Sequence, residues 1–335
     1  MSDDNAFQLF GTDLFGAEIK QANTGIIRQK FDFPPFTVLN AREGAWQERK
    51  RAWLACGIKS EVGRGDNLLK MSDTMLDPKG EKRAAARSFN MGLGASADNG
   101  WQREDDKGSG TSIFDPVLAE LCYRWFCPPG GQILDPFAGG SVRGIVAGLL
   151  GFRYHGIDLR AEQIEANEAQ RAMIAPSAPI HWVCGDSNVM LDSAPEADFI
   201  FSCPPYGDLE VYSDDPNDLS TMTYPQFLAV YESIIQKSLA RLRNNRFAAF
   251  VIGEYRDPKT GAYRGFVPST CAAFMLAGAA FYNEALLVTS VGTLALRVTK
   301  QFEATRKLGK THQTLLVFVK GDPKIATDFI NSGAK

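Results

Sequence analysis

The residues best suited to chemistry in this chain of 335 residues are four short clusters, each at the end of an apolar run. Residues 132–143 read QILDPFAGGSVR: an apolar run closes on Asp135 and Pro136, turns through Phe137, Ala138, Gly139 and Gly140, and enters a helix-like segment at Ser141. Glycines in such a turn let a ligand approach the backbone, because no Cβ intervenes. Residues 156–160, GIDLR, put Asp158 about 20 residues further on, where a carboxylate suits the hydroxyls of a ribose. Residues 184–187, CGDS, offer a second acid, Asp186, able to accept from an adenine amino group. Residues 203–206, CPPY, follow a buried-looking run; the prolines would fix a carbonyl and Tyr206 would offer a flat face for stacking. Each acid also has a plainer reading as a helix N-cap, and Pro-Pro-Tyr as a rigid turn with a packed tyrosine. Their recurrence at successive strand ends favours a nucleoside pocket.

The elements needed to position these clusters are legible as alternating periodicities. Strand-like runs occur at 133–134, 154–157, 181–184, 199–202, 247–252, 282–291 and 313–319, and helical periodicity at 117–126, 141–150, 161–173, 224–242 and 269–276. Alternation of this kind means βαβ units and a mostly parallel sheet. Ligands then bind outside the carboxyl ends of the strands. Between the last two runs only a basic loop, 295–311, is expected, so they should form an antiparallel hairpin at the sheet edge. Residues 40–54 read as a charged helix with Trp46 and Trp53 on related faces, whereas 1–29 and 96–112 read as loosely organised. The expected organisation is an extension over 1–110 for docking or DNA contact, a catalytic domain over 111–323 and a tail over 324–335.

A hydrophobic share of 44% supports a sizeable core, and a net charge of -3 argues against a protein that coats nucleic acid nonspecifically. Contact with nucleic acid must then come from local basic patches. The start, MSDDNAFQLF, reads as no secretory signal, and the most apolar stretch, 271–281, falls short of the roughly 20 residues that cross a bilayer. Cysteines at 56, 122, 127, 184, 203 and 271 form no C-x-x-C pair and suit reduced thiols in a cytoplasm. His155, His181 and His312 lack ligand-like spacing, so no metal is expected.

DPFAGG, the acid of GIDL, the GD of VCGDS and CPPY resemble the motifs of the S-adenosylmethionine-dependent methyltransferases, and in particular the DNA amino-methyltransferases, whose hallmark is Asn, Asp or Ser followed by Pro-Pro-Tyr. The SIFDP segment, 112–116, is similar to that family's preceding cofactor motif. FPPF and QERKRAWL near the N-terminus resemble stretches of methylases carried by phages and prophages. The resemblance covers roughly residues 112–323 and implies a class I, Rossmann-like fold with a seven-stranded sheet and a C-terminal antiparallel hairpin. It implies that S-adenosylmethionine is held by Phe114, Asp135, Phe137, Gly139, Gly140, Asp158, Leu159, Asp186 and Ser187, and that Cys203, Pro204, Pro205 and Tyr206 carry catalysis. Restriction-modification in a bacterial or phage-infected cytoplasm is the implied setting. Two positions depart from the family pattern: Ser141 stands where another glycine is usual, and Cys203 where Asn, Asp or Ser is usual.

That second departure bears on mechanism. An exocyclic amino nitrogen of adenine or cytosine is a poor nucleophile until hydrogen bonds accepted from its N–H groups localise its lone pair, and a cysteine sulfur is a weak acceptor. The carbonyl near Pro204 would carry more of that load. The base must first be flipped out of double-stranded DNA. The alternatives are a thiolate attack by Cys203 on cytosine C6 to activate C5, methylation of RNA, and a nucleic-acid-binding protein that keeps the fold without turnover. For contact with nucleic acid the basic stretch holding Arg297, Lys300, Arg306, Lys307 and Lys310 leads, followed by 49–51 and Lys82-Arg83. The acidic stretch 207–223 suits a lid or base-reading loop. Monomer and homodimer are both compatible with the sequence.

Overall fold

The computed structural model describes residues 31–59, 114–207, 212–292 and 294–332. In chain order these form β1 (Val38–Asn40), α1 (Gly44–Ala55), α2 (Pro116–Phe126), β2 (Gln132–Asp135), α3 (Val142–Leu149), β3 (Arg153–Asp158), α4 (Ala161–Ile174), β4 (Ile180–Cys184), a single turn α5 (Ser187–Met190), β5 (Ala197–Ser202), α6 (Tyr224–Arg241), β6 (Leu242–Ile252), α7 (Phe266–Leu276), β7 (Ala280–Val288), α8 (Leu294–Thr305), β8 (His312–Lys320) and α9 (Pro323–Ser332).

Apolar side chains alternate along the central strands, and that alternation builds two cores, one on each face of the sheet. Phe199 and Phe201 of β5, with Phe247, Ala249 and Val251 of β6, face the core shared with α1, α2 and α3. Ile200, Ala248, Phe250 and Ile252 face the opposite core, shared with α6 and α7. With helices on both faces, β5 and the second half of β6 have no solvent side, which is why they read as nearly continuous apolar runs.

All strands lie in one sheet of order β1-β7-β8-β6-β5-β2-β3-β4. Every pairing is parallel except those of β8, which runs antiparallel to both β6 and β7. The chain steps outward through β2, β3 and β4, then returns to place β5 against the other side of β2, so a crevice opens between the carboxyl ends of β2 and β5. This is the expected Rossmann-like α/β fold.

Three features differ from the sequence-based expectation. The sheet has eight strands rather than seven, because β1 pairs in parallel with β7, Val38 opposite Leu286. The final pair is no simple edge hairpin: β8 inserts between β6 and β7, and α8 connects them where a basic loop was expected. Leu294, Val298 and Phe302, four residues apart, carry the helical signal there. The expected tail is instead α9, with Ala326 buried and the Arg246 guanidinium 3.8 Å from the Phe329 ring centroid.

The described part of the N-terminal extension is built into this fold through β1 and through two acids at α2, Glu120 and Asp115. Glu120, buried on α2, accepts from Arg49 Nη2 at 2.6 Å, Arg49 Nε at 3.0 Å and Trp53 Nε1 at 2.6 Å, all from α1. Arg49 is therefore committed to an internal ion pair rather than to phosphate, and Lys50 pairs with Asp115 at 3.2 Å. Lys82 and Arg83 lie outside the described residues.

Asp32 stands near the same cluster, and burial, reinforced by the charge of Glu120, raises its carboxyl to about 7. A carboxyl raised in the folded state stabilises most below its unfolded value near 3.9 and loses that contribution as pH climbs through the folded value. Urea midpoints measured at intervals should therefore fall between about pH 4 and 7 in the native protein, and the Asp32→Asn variant should flatten that slope. An unchanged slope would show that the proton is held elsewhere.

Candidate active site

The crevice between β2 and β5 is organised by Asp135, fully buried at the last position of β2. Its Oδ1 accepts from Ser202 Oγ at 2.6 Å, at the end of β5, and from the Phe137 amide at 3.2 Å. Its Oδ2 accepts from Tyr154 Oη at 2.7 Å, on β3, and from Arg143 Nε at 2.6 Å, in the first turn of α3. One carboxylate thus joins three strands and a helix. The resemblance gives Asp135 to the methionine part of the cofactor, yet here its side-chain oxygens are already taken by four donors of the chain.

Arg143 extends the same network to the glycine turn. Its Nη2 donates to the carbonyls of Phe137 at 2.5 Å and Ala138 at 2.9 Å, and its guanidinium lies 4.7 Å from the Phe114 ring centroid. Burial alone would favour the neutral form, but Asp135 beside it keeps the guanidinium firmly protonated. No role was expected for Arg143 from sequence. The available signal was a charged residue inside the otherwise apolar VRGIVAGL.

The turn itself is left open. Gly139 adopts φ +51°, and a Cβ built on it would meet nothing within 4 Å. Its amide donates to Asp158 Oδ2 at 2.9 Å, and its carbonyl accepts from Asn167 Nδ2 at 2.7 Å, on α4. Asp158 closes β3 and takes the Arg160 amide on Oδ1 at 2.9 Å. A carboxylate has about four lone-pair sites, so the half-buried Asp158 keeps acceptor capacity after these two bonds. Burial raises its carboxyl above the usual carboxylate range, against the lowering effect of both amides.

Asp186 caps α5 through the Asn188 amide at 2.8 Å, in line with its plainer reading, and Ser187 Oγ donates to the Pro136 carbonyl at 2.5 Å. Gly140 and Leu159 are half-buried beside Gly139 and Asp158. Ser141, at the position where the resemblance would put a glycine, is fully buried, and its hydroxyl has no partner among the described residues. Such a group costs free energy until something bonds it. An open backbone turn, a half-satisfied acid and an unpaired hydroxyl together fit a polar nucleoside cofactor.

Phe114 packs edge-on to Phe201 at 5.7 Å and lies next to this turn through Arg143. Asp115 behind it caps α2 through Val117 and accepts from Trp46 Nε1 at 3.2 Å, so α1 braces the residue that precedes the helix. Ser112 and Ile113 lie outside the described residues.

On the β5 side, Cys203 is half-buried against the first core, and Pro204 is buried. Tyr206 is only 7% exposed, with the rings of Phe266 at 5.7 Å and Tyr255 at 6.1 Å set edgewise to it. It is a wall of the second core rather than the open platform expected from sequence, and burial pushes its hydroxyl well above the ordinary tyrosine value. Gln313, from the start of β8, reaches the same hydroxyl at 3.5 Å. Neither Tyr255 nor Gln313 carries a recognisable motif; only the sheet order brings them here.

The basic stretch before β8 divides. Lys300 and Arg306 are exposed, and Arg297 lies on α8. Lys310 turns inward to donate to the Glu254 carbonyl at 2.8 Å, and burial lowers its ammonium to about 8. It is a structural strap rather than a phosphate contact. Within the acidic stretch, residues 208–211 lie outside the described residues; further on, buried Asp218 accepts from the Ser220 amide and hydroxyl at 2.9 and 2.7 Å and closes a short turn over Leu219–Thr221.

No family model matches the sequence, and no curated protein matches it. Among solved structures the chain is similar to TrmN from Thermus thermophilus, at 18% identity and a TM-score of 0.42 over 62% of this chain and 49% of that one. It is also similar to a putative SAM-dependent methyltransferase from Streptococcus mutans, at 15% identity and 0.42 over 64% and 51%. A third is a putative RNA methyltransferase from Pyrococcus horikoshii, at 13% identity and 0.39 over 64% and 86%. The matched part spans about half the length of the first two. The fold class of this chain rests on its own strand order. Among the described residues no helix is long and apolar enough to cross a membrane.

Because Arg143 is the only charge paired with buried Asp135 among the described residues, the Arg143→Met variant leaves an uncompensated carboxylate. Its unfolding free energy in urea should fall by about 3 to 5 kcal/mol. A loss below about 1 kcal/mol, the scale of a single neutral hydrogen bond, would mean that Asp135 does not need the cation.

Proposed function

We propose that this chain is an S-adenosylmethionine-dependent methyltransferase that acts on an exocyclic amino group of a flipped base in DNA, adenine N6 or cytosine N4. The observation that supports this best is the tying of four strand-end loops to one another. Ser202 bonds Asp135, Gly139 bonds Asp158, and Ser187 bonds Pro136, so the ends of β2, β3, β4 and β5 share one rim.

When bound on that rim, S-adenosylmethionine supplies an electrophilic methyl carbon. The half-satisfied Asp158 accepts from ribose hydroxyls, the open Gly139 turn lets the methionine part approach the backbone, and the buried Ser141 hydroxyl gains a polar partner. Asp135 and Arg143 act behind them by fixing the turn. On the β5 side, the amino group of the target donates to the carbonyl near Pro204 and, weakly, to the Cys203 sulfur. Those two acceptors would localise the nitrogen lone pair for transfer of the methyl group that the bound cofactor would supply with cleavage of its S–C bond, and the amino nitrogen would release one proton to solvent. Positioning of this kind supplies on the order of 7 to 11 kcal/mol in favourable cases.

One observation favours a second reading, in which Cys203 attacks cytosine C6 and C5 is methylated: the thiol lies within electrostatic reach of the Arg143 guanidinium. A nearby cation favours a thiolate. Asp135 already neutralises that cation at 2.6 Å, so the amino reading is preferred.

Incubation with labelled S-adenosylmethionine and unmethylated duplex DNA, with RNA in parallel, followed by mass analysis of nucleosides, tests the assignment. N6-methyladenine or N4-methylcytosine is expected; C5-methylcytosine, methylation of RNA alone, or cofactor binding without transfer would each replace it. The Cys203→Ser variant should keep or raise turnover, since a hydroxyl is a better acceptor than a thiol; complete loss of turnover would implicate a thiolate nucleophile.

Asp158→Asn should weaken cofactor binding about 10- to 150-fold, the loss of hydrogen bonds to a charged acceptor, as measured by calorimetry. In the native protein that affinity should also fall on acidification at a pH above the ordinary aspartate range, because burial raises the Asp158 carboxyl and its protonated form accepts less well. Equal affinities in the variant and the native protein would remove Asp158 from the ribose.

A further inference from the structure

Residues 255–264, between β6 and α7, fold into a short two-stranded ribbon. The Arg264 amide donates to the Tyr255 carbonyl at 3.0 Å, the Asp257 amide to the Ala262 carbonyl at 2.9 Å, and Arg256 pairs with Tyr263 as an antiparallel bridge. Side chains alternate across such a ribbon. Tyr255 is buried edge-on to Tyr206 at 6.1 Å, and the Arg264 guanidinium lies 4.6 Å from the Tyr224 ring centroid, so this pair makes the inner face. Arg256 and Tyr263 make the outer one. There the Arg256 guanidinium stacks 3.9 Å from the centroid of the Tyr263 ring, and Tyr263 remains 50% exposed.

The ribbon is held against the basic stretch before β8. Lys310 bonds the Glu254 carbonyl at its base, and a Cβ added to Gly261 at its tip would stand 2.6 Å from Lys307 Nζ. The acids nearby are already engaged: Asp257 takes the amides of Lys259 and Thr260 and pairs with Arg264 at 3.3 Å, and Glu254 takes the Gly265 and Val267 amides at the start of α7. Lys259 is exposed on the ribbon, Lys307 is half-buried against its tip and Arg306, the chain neighbour of Lys307, is exposed, so a locally positive surface stands out on a chain of net charge -3.

From this arrangement we infer that Arg256 and Tyr263 form a stacking platform for a nucleobase next to the target base, with Lys259, Arg306 and Lys307 on the adjoining phosphates. The inference rests on the proposed action on DNA and adds a subsite to it. A tyrosine with a guanidinium stacked on it and half its surface in solvent presents a preformed π surface. Every base has a matching face, so such a platform holds a strand without reading its sequence. Its place one ribbon position outward from Tyr255, which touches Tyr206, puts it beside the catalytic motif rather than in it. A neighbouring nucleotide fits there while the target base is withdrawn from its stack.

The test uses the full chain with a fluorescently labelled single-stranded oligonucleotide and its duplex, read by anisotropy at several salt concentrations. Tyr263→Ala should raise Kd about 5- to 150-fold with little change in the salt slope, while Tyr263→Phe should keep most of the affinity. Lys307→Ala should lower the salt slope by about 1. Tyr263→Leu, which keeps apolar bulk without a π face, should behave as Tyr263→Ala and covers the case in which the alanine variant folds poorly. Native-like affinity in both Tyr263→Ala and Tyr263→Leu would overturn the platform and leave a surface cation–π pair.

Methyl transfer, measured separately, distinguishes the two claims. Amino methylation with an unchanged KM for DNA in the Tyr263 variants sinks the platform alone. Weakened DNA binding in those variants with no methyl incorporation by the native chain sinks the proposed chemistry alone.

Discussion

The rest of the molecule depends on a buried ion pair. Asp135 and Arg143 stand 2.6 Å apart with side-chain exposures of 0% and 6%. Burying two charges is costly, and such a pair is tolerated only when further hydrogen bonds complete it. Here every completing bond has a positional consequence. Ser202 draws the end of β5 to β2, Tyr154 draws in β3, and the second arm of Arg143 pins the carbonyls of the glycine turn. The glycine turn is thereby shaped from behind, and the space a Gly139 Cβ would fill stays clear.

The same economy recurs at the periphery. Glu120 on α2 gathers Arg49 and Trp53 of α1, and Asp115 gathers Trp46 and Lys50. These two acids convert an N-terminal segment of low hydropathy into a brace behind Phe114, and β1 closes an edge that β7 would otherwise expose. On the other face, Tyr206, Tyr255, Phe266 and Tyr224 form an aromatic wall, which turns the Pro-Pro-Tyr tyrosine into a fixed support for the ribbon beyond it.

Much of the fold was legible because period-two and helical patterns need no partner to be read. The runs at 154–157, 199–202, 247–252 and 313–319 all lie inside observed strands, and 161–173 inside α4. Reading failed where local chemistry was ambiguous. The lysines and arginines around Leu294, Val298 and Phe302 obscure their spacing, so α8 reads as a loop. Asp135 and Asp186 were legible as acids at strand ends, but the partners that engage Asp135 lie mostly on other elements.

The sequence alone determined the alternation of strands and helices, the glycine turn and the order of the strand-end acids, because each depends on residues near one another in the chain. Only the tertiary structure decided which acid is saturated and which keeps acceptor capacity, that Lys310 straps inward while Lys300 stays exposed, and that Tyr255 packs on Tyr206 while its ribbon neighbours Arg256 and Tyr263 stack on each other. Those outcomes depend on which donors arrive from distant segments, and burial then sets the strength of each contact by removing water.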